Sequence, residues 1–100
     1  MTSKQRAYLK SLAMNIDPVM QIGKATVTPE LTKSADEALE ARELIKIHVL
    51  KNCIADIHDI AGMLSERTHS QVVQVIGRKI VLYRESSTKK KIELPEGRSK

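Results

Sequence analysis

The sequence predicts an α/β (α+β) domain with element order α-β-α-β-α-β-β, a four-stranded mixed sheet packed by helices. Apolar residues recur at helical spacing in three stretches, and short runs rich in Ile and Val lie between and after them. The last two runs are joined by the two-residue loop Gly77-Arg78, whose leading glycine suits a tight type II′ hairpin. A length of 100 residues gives room for one domain and one modest core. With no Phe and no Trp, that core must be built from Ile, Val, Leu, Met and Ala.

Thr2 and Gln5 are spaced as a capping box, so the first helix is expected over 3–15. Its buried stripe is Tyr8, Leu9, Leu12, Ala13 and Ile16, and Lys4, Arg6 and Lys10 fall largely away from it. Asp17-Pro18 ends the helix, because a residue before proline is pushed out of the α region. Residues 19–22 form a short strand, and Gly23-Lys24-Ala25-Thr26 turns the chain. Thr28 caps a second helix with Pro29 at its first position, where a missing N–H costs nothing. That helix runs to Ala41 with Leu31, Ala35, Ala38 and Leu39 facing inward. Over 44–50, Ile45, Ile47 and Val49 alternate with Lys46 and His48 as a half-buried strand. Asn52 is the expected cap of a third helix reaching Arg67, with Ile54, Ile57, Ile60, Ala61 and Leu64 as its stripe.

Two strands follow, 72–76 and 79–84, paired antiparallel, while the first two strands are expected to be parallel with a right-handed crossover. After Arg84 the composition turns to Ser, Thr, Lys, Glu and Gly. A domain over 1–85 with a basic, flexible tail over 86–100 is therefore expected.

Lys and Arg total 17 against 12 Asp and Glu, a net charge of +5. Residues 1–24 carry +3 (Lys4, Arg6, Lys10 and Lys24 against Asp17), and residues 86–100 also carry +3 (Lys89, Lys90, Lys91, Arg98 and Lys100 against Glu93 and Glu96). The stretch 25–85, with 8 cations and 9 carboxylates, comes to −1. Positive ends around a near-neutral body suit a polyanion-binding surface, although a charge of this size also serves solubility alone. The opening residues MTSKQRAYLK lack a signal-like apolar run, and no apolar stretch approaches the ~18 residues of a membrane span. The single cysteine, Cys53, cannot form an internal disulfide and fits a reducing compartment. A cytoplasmic protein with no membrane partner is expected.

His48, His58, His69 and Cys53 show no metal-ligand spacing, so no metal and no cofactor are expected. Cys53 has no marked base beside it and reads as a core residue, and no nucleophile elbow or pocketed carboxylate pair stands out. The chain is expected not to be an enzyme and to take no small-molecule substrate. The Gly23-Lys24 turn is not a nucleotide-triphosphatase loop, because Pro18 stands where that motif needs its first glycine and Ala25 where it needs Ser or Thr. A glycine turn feeding a helix N-terminus can still present N–H groups and a positive dipole end to an anion, with Lys24 adding charge. An ordinary strand-to-helix turn accounts for the same residues, and spacing alone favours it. The only aromatics are Tyr8 and Tyr83, too few for a base-stacking platform, so any RNA contact must rest on Lys and Arg meeting phosphates.

Four blocks point further: residues 5–13 (QRAYLKSLA), 21–24 (QIGK), 38–47 (ALEARELIKI) and 73–84 (VQVIGRKIVLYR). In this order and spacing the chain resembles the CRM domain (chloroplast RNA splicing and ribosome maturation), in particular its stand-alone bacterial form, the YhbY family, over residues 3–84. The resemblance implies a fold similar to the C-terminal domain of bacterial translation initiation factor three. It also implies RNA binding, with bacterial members linked to precursors of the large ribosomal subunit. The family's loop typically reads GKGG, similar in use to the GxxG loop of KH domains; here Gly23-Lys24-Ala25-Thr26 lacks both later glycines.

The expected function is that of an RNA-binding protein, a ribosome assembly or maturation factor associating with large-subunit rRNA or its precursors. The expected surface joins Lys4, Arg6 and Lys10 to the loop Gly23, Lys24, Ala25 and Thr26, and adds Arg42, Lys46, Arg78, Lys79 and Arg84. Asp36, Glu37, Glu40, Asp56 and Asp59 are expected to face away from it. The alternatives are a small adaptor that binds a protein partner, or a protein acting on a non-ribosomal RNA. A monomer is the simplest expectation.

Overall fold

The computed structural model describes residues 1–95. In chain order the elements are α1 (Ser3–Ala13), β1 (Met20–Ile22), α2 (Pro29–Arg42), β2 (Leu44–Val49), α3 (Ile57–Thr68), β3 (Gln71–Ile76) and β4 (Lys79–Tyr83). The strands form one sheet in the order β1-β2-β4-β3, with β1 parallel to β2 and the other pairs antiparallel. The expected element order and mixed sheet are the observed ones.

The period-2 pattern of β2 divides its side chains between two cores. Ile45, Ile47 and Val49 join Ile80 and Leu82 beneath α2 and α3, packed against Ala35, Leu39, Ile60, Ala61 and Leu64. On the opposite face Leu44, Val73, Val81 and Tyr83 meet Leu9 and Ala13 of α1. A bulge lies between Val72 and Gln74 of β3, and Arg6 of α1 donates to the carbonyls of Val72 and Val73 there. One guanidinium thus ties α1 to the two carbonyls beside the ladder's interruption.

Two helix boundaries differ from expectation by more than one residue, each for a local reason. α1 ends at Ala13, because Asn15 and Ile16 donate three residues back, to Leu12 and Ala13, and tighten the last turn. Tyr8, expected in its stripe, is 39% exposed. α3 begins at Ile57, not near Asn52: Cys53 N–H donates to the Leu50 carbonyl in a turn, and Cys53 itself is buried. Asp56 is the actual cap, accepting from the N–H groups of His58 and Asp59. Ile54, counted in the α3 stripe, is 95% exposed on that turn.

The largest departure concerns residues 86–95. Ile92 and Leu94 pack against the α1 core, and the backbone leading to them is held by two carboxylates of α2 and its cap. Glu43, fully buried, accepts from the N–H groups of Ser86 (2.7 Å), Lys91 (2.6 Å) and Ile92 (2.6 Å). Glu40 accepts from the hydroxyls of Ser86, Ser87 and Thr88 and from the N–H groups of Ser87 and Thr88. The described part of the expected flexible tail, 86–95, is therefore docked on the body. The rest of that tail, 96–100, lies outside the described residues.

The three hydroxyls, led by that of Ser86, lower the Glu40 carboxyl from 4.5 to about 2. Burial pushes Glu43 up, but the N–H groups of Ser86, Lys91 and Ile92, with Lys90 nearby, outweigh it and hold the carboxyl below its ordinary value. Glu43 adopts φ +68° at the end of α2, a position where glycine is usual. Only a side chain with two acceptor oxygens can make these bonds from that position, which explains a glutamate there. Thr26 also has positive φ, +58°, uncommon for a β-branched residue.

Both carboxyls are lowered in the folded state, Glu40 to about 2, so the docked segment contributes its full stability above pH 4.5 and loses it as the pH falls through the lowered values. Glu43→Gln, which turns one acceptor into a donor facing N–H groups, is expected to cost about 2–3 kcal/mol in urea unfolding. The amide resonances of Lys91 and Ile92 should then lose their hydrogen-bonded shifts at neutral pH; unchanged shifts would contradict the clamp. Thr26→Gly relieves a left-handed backbone and should stabilise the fold by about 1 kcal/mol in the same titration, whereas a loss would show that the threonine is unstrained.

Candidate nucleic-acid interface

Because β1 is parallel to β2 and β4 is antiparallel to its neighbours, β1, β2 and β3 all end at one edge of the sheet, where β4 begins. Three turns gather there: 23–28 after β1, 50–56 after β2, and Gly77-Arg78. Backbone bonds fix their spacing. Leu50 N–H donates to Ile22 O at 2.8 Å and Val49 N–H to Arg78 O at 2.7 Å, while the Arg78 guanidinium lies 3.5 Å from Leu50 O. Gly23 lies against Asn52, since a Cβ there would stand 3.4 Å from the Asn52 amide oxygen. Gly77, at φ +58°, takes the left-handed conformation that glycine adopts without strain.

Lys24, Lys51 and Arg78 are exposed on these turns and Lys79 is half-buried at the start of β4. Lys51 was not singled out by sequence. The parallel reading of β1 and β2 was the signal that could have found it, since it places the turn after β2 beside the Gly23 loop. Ala25 and Thr26 belong to the same edge, where Thr26 N–H closes the turn onto Gly23 O at 3.0 Å.

From that edge the cationic surface continues onto the α1 face of the sheet. Direct pairing places Gln21, His48, Lys79 and Ile76 in one row across the four strands. The next row holds Lys46, Val81 and Gln74. Lys10 stands between Arg6 and Met14 on α1, four residues from each and so on the same flank of the helix. Lys4 is exposed on its first turn.

The remaining predicted residues are placed elsewhere. Arg84 donates to the carbonyls of Thr68 (2.7 Å) and Asp36 (3.0 Å) and pairs with the carboxylates of Asp36 and Glu40, so its guanidinium joins β4 to α2 and α3. Arg6 is engaged at the β3 bulge. Arg42 lies at the opposite end of the six-residue β2, about 20 Å from the Lys24 edge. There it lines a groove with Leu12, Ile16, Pro18, Val19 and Lys91. The start of α2 is a poor anion site, because Thr28 already accepts the Leu31 N–H, Pro29 has no N–H, and Glu30 occupies the first turn. Tyr83 is buried, and burial, followed by the charges of Glu43 and Glu85, pushes its hydroxyl above the ordinary value.

Charge is divided between the two faces of the sheet. The helices α2 and α3, with Asp56 that caps α3, carry seven carboxylates (Glu30, Asp36, Glu37, Glu40, Asp56, Asp59 and Glu66) against Lys33, Arg42 and Arg67. On the other face α1 has Lys4, Arg6 and Lys10 and no Asp or Glu, and the sheet adds Lys46 and Lys79. A polyanion approaching the α1 face and the Lys24 edge meets positive potential, and one approaching α2 or α3 meets negative. Among the described residues no three His, Cys, Asp or Glu side chains converge as a metal site, and no helix is long and apolar enough to cross a membrane.

Known proteins share this chain along nearly its whole length. It is similar to a Bacillus subtilis protein named "Probable RNA-binding protein YqeI", with 50% identity over 95% of this chain and 99% of the relative. A Haemophilus influenzae protein named "RNA-binding protein" is 34% identical, covering 95% of each chain. The solution structure of SAV1595 from Staphylococcus aureus superposes with a TM-score of 0.79 at 54% identity, covering 95% of this chain and all of that one. The four sequence blocks, the mixed sheet and the match of the CRS1 / YhbY (CRM) domain to residues 1–84 agree, and the chain belongs to the CRS1/YhbY (CRM) family.

Proposed function

We propose that this protein binds RNA with the Lys24 edge and the α1 face of its sheet, and acts in the cytoplasm as a maturation factor on large-subunit rRNA or its precursors. The division of charge across the sheet carries this reading. Lys24, Lys46, Lys51, Arg78 and Lys79 lie on neighbouring strands and turns joined by backbone hydrogen bonds, whereas the carboxylates of α2 and α3 lie behind the sheet. Phosphates repeat along RNA, so a cationic surface on one side of the molecule can meet several at once. The names of the Bacillus and Haemophilus relatives support the RNA partner. The ribosomal assignment rests on the family resemblance. On this reading the chain works by binding, as a monomer, and catalyses nothing.

If about five phosphates are met, affinity should fall with salt at a log–log slope of about −3 to −4. Lys24→Glu and Arg78→Glu should each weaken binding, flatten that slope by about one, and leave the melting temperature unchanged. Arg84→Ala should do the reverse, lowering the melting temperature with little change in salt slope, because its guanidinium is held by Thr68, Asp36 and Glu40. A flat salt response in the unmodified protein would overturn the phosphate mechanism.

The ribosomal role is tested by sedimentation of a gently lysed extract at low and high salt, with and without ribonuclease. The expected outcome is migration with large-subunit particles or their precursors, and release by salt or ribonuclease. A protein that stays at the top of the gradient in every condition does not have that role.

A further inference from the structure

Beyond the charged surface lies a small apolar pocket of about 240 Å³, lined by Ala13, Met14, Lys46, Gln74, Ile76, Lys79 and Val81. It forms where α1 ends and the open half of the sheet begins. Ala13 and Val81 make a buried floor, whereas Met14 and Ile76 are 81% and 59% exposed. Two large apolar side chains thus stand in solvent beside two lysines, and no carboxylate lines the pocket.

We propose that this pocket holds one unpaired nucleobase of the bound RNA. The inference rests on the RNA-binding reading and adds the kind of RNA recognised: one that offers a base outside a duplex. A base has two apolar faces, a polar edge and a phosphate on either side, and the pocket has a counterpart for each. Met14, Ile76 and Val81 offer flat aliphatic contact, as flipped or splayed bases find between apolar side chains. Gln74 carries both a donor and an acceptor for a base edge. Lys46 and Lys79 are placed for the flanking phosphates, and through Arg78 they continue to the Lys24 edge, so one strand can run from the turns across the sheet. Neither tyrosine lines the pocket, so aliphatic contact takes the place that aromatic stacking holds in sheet-surface readers. A base inside a duplex is stacked on both sides and cannot enter.

The test uses the full chain and fluorescence anisotropy with two labelled RNAs: a blunt duplex, and a hairpin with the same stem and an unpaired loop. The unmodified protein is expected to prefer the hairpin. The double variant Met14→Ala with Ile76→Ala should weaken hairpin binding about five- to tenfold, while duplex binding changes by less than about twofold. Gln74→Ala should lower hairpin affinity in the same selective way. Both apolar side chains are exposed, so the melting temperature of the double variant should match that of the parent. Equal loss on both RNAs, or no loss on either, overturns the base pocket while leaving RNA binding in place. Failure of the unmodified protein to hold either RNA overturns the RNA reading itself. If the free protein sediments as a dimer that the double variant dissociates, the pocket is a contact between copies and the proposal falls.

Discussion

Strands spaced about 4.8 Å apart give a four-stranded face a width of about 15–20 Å, whereas a helix with its side chains is about 10 Å across. On one face α2 and α3 lie side by side and close the core over Ile45, Ile47, Ile80 and Leu82. On the other there is only α1, of 11 residues, and it reaches Leu44, Val73, Val81 and Tyr83. Half of that face must stay open, and the side chains there can be polar because they face water. Lys46, His48 and Lys79 occupy positions that on the other face belong to isoleucine and leucine. The cationic surface is therefore the part of the sheet that the chain has too few helices to cover.

The same shortage explains the carboxylate clamp. Ile92 and Leu94 extend the cover that α1 begins, but a segment with so few apolar residues has little burial energy to hold it. Glu43 supplies what burial does not, through three charge-assisted bonds to backbone N–H groups in a dry site. Its positive φ is the strained side of that arrangement, and the bonds offset it. Glu40 sits one helical turn earlier and gathers the hydroxyls of Ser86, Ser87 and Thr88. Lys91 is thereby brought to the groove that Arg42 also lines, far from the Lys24 edge.

Periodicity revealed what depends on periodicity. The three helices, the alternation in β2 and the hairpin at Gly77-Arg78 were legible because burial imposes a repeat on the residues. Ile54 misled because its spacing to Ile57 and Ile60 imitates a helical stripe, while the need to bury Cys53 holds the chain in a turn and Asp56 starts the helix. The docking of 86–95 was not legible, since its donors are backbone N–H groups that every residue but proline carries. Sequence also cannot separate an arginine that binds carbonyls from one left free. Arg6 and Arg84 hold elements together with their planar, multi-donor groups, whereas the lysines, with one compact charge each, remain at the surface.

The loop at Gly23 shows how shape and chemistry can part. The resemblance implies glycine at positions 25 and 26, where this chain has Ala25 and Thr26. Thr26 keeps the positive φ that glycine would adopt freely, so the backbone holds the turn although its side chain opposes it. What the two Cβ atoms remove is the closest approach of a phosphate to the backbone N–H groups. On the proposed RNA-binding reading, attraction then comes from charge at longer range, and charge is what the neighbouring turns supply. Leu50, next to Lys51, donates its N–H to the Ile22 carbonyl, and the Arg78 carbonyl accepts from Val49 N–H, so the positions of Lys51 and Arg78 relative to Lys24 are set by the sheet. An edge built this way depends more on salt and less on loop geometry than a glycine cradle, because point charges are screened while a short backbone hydrogen bond is not.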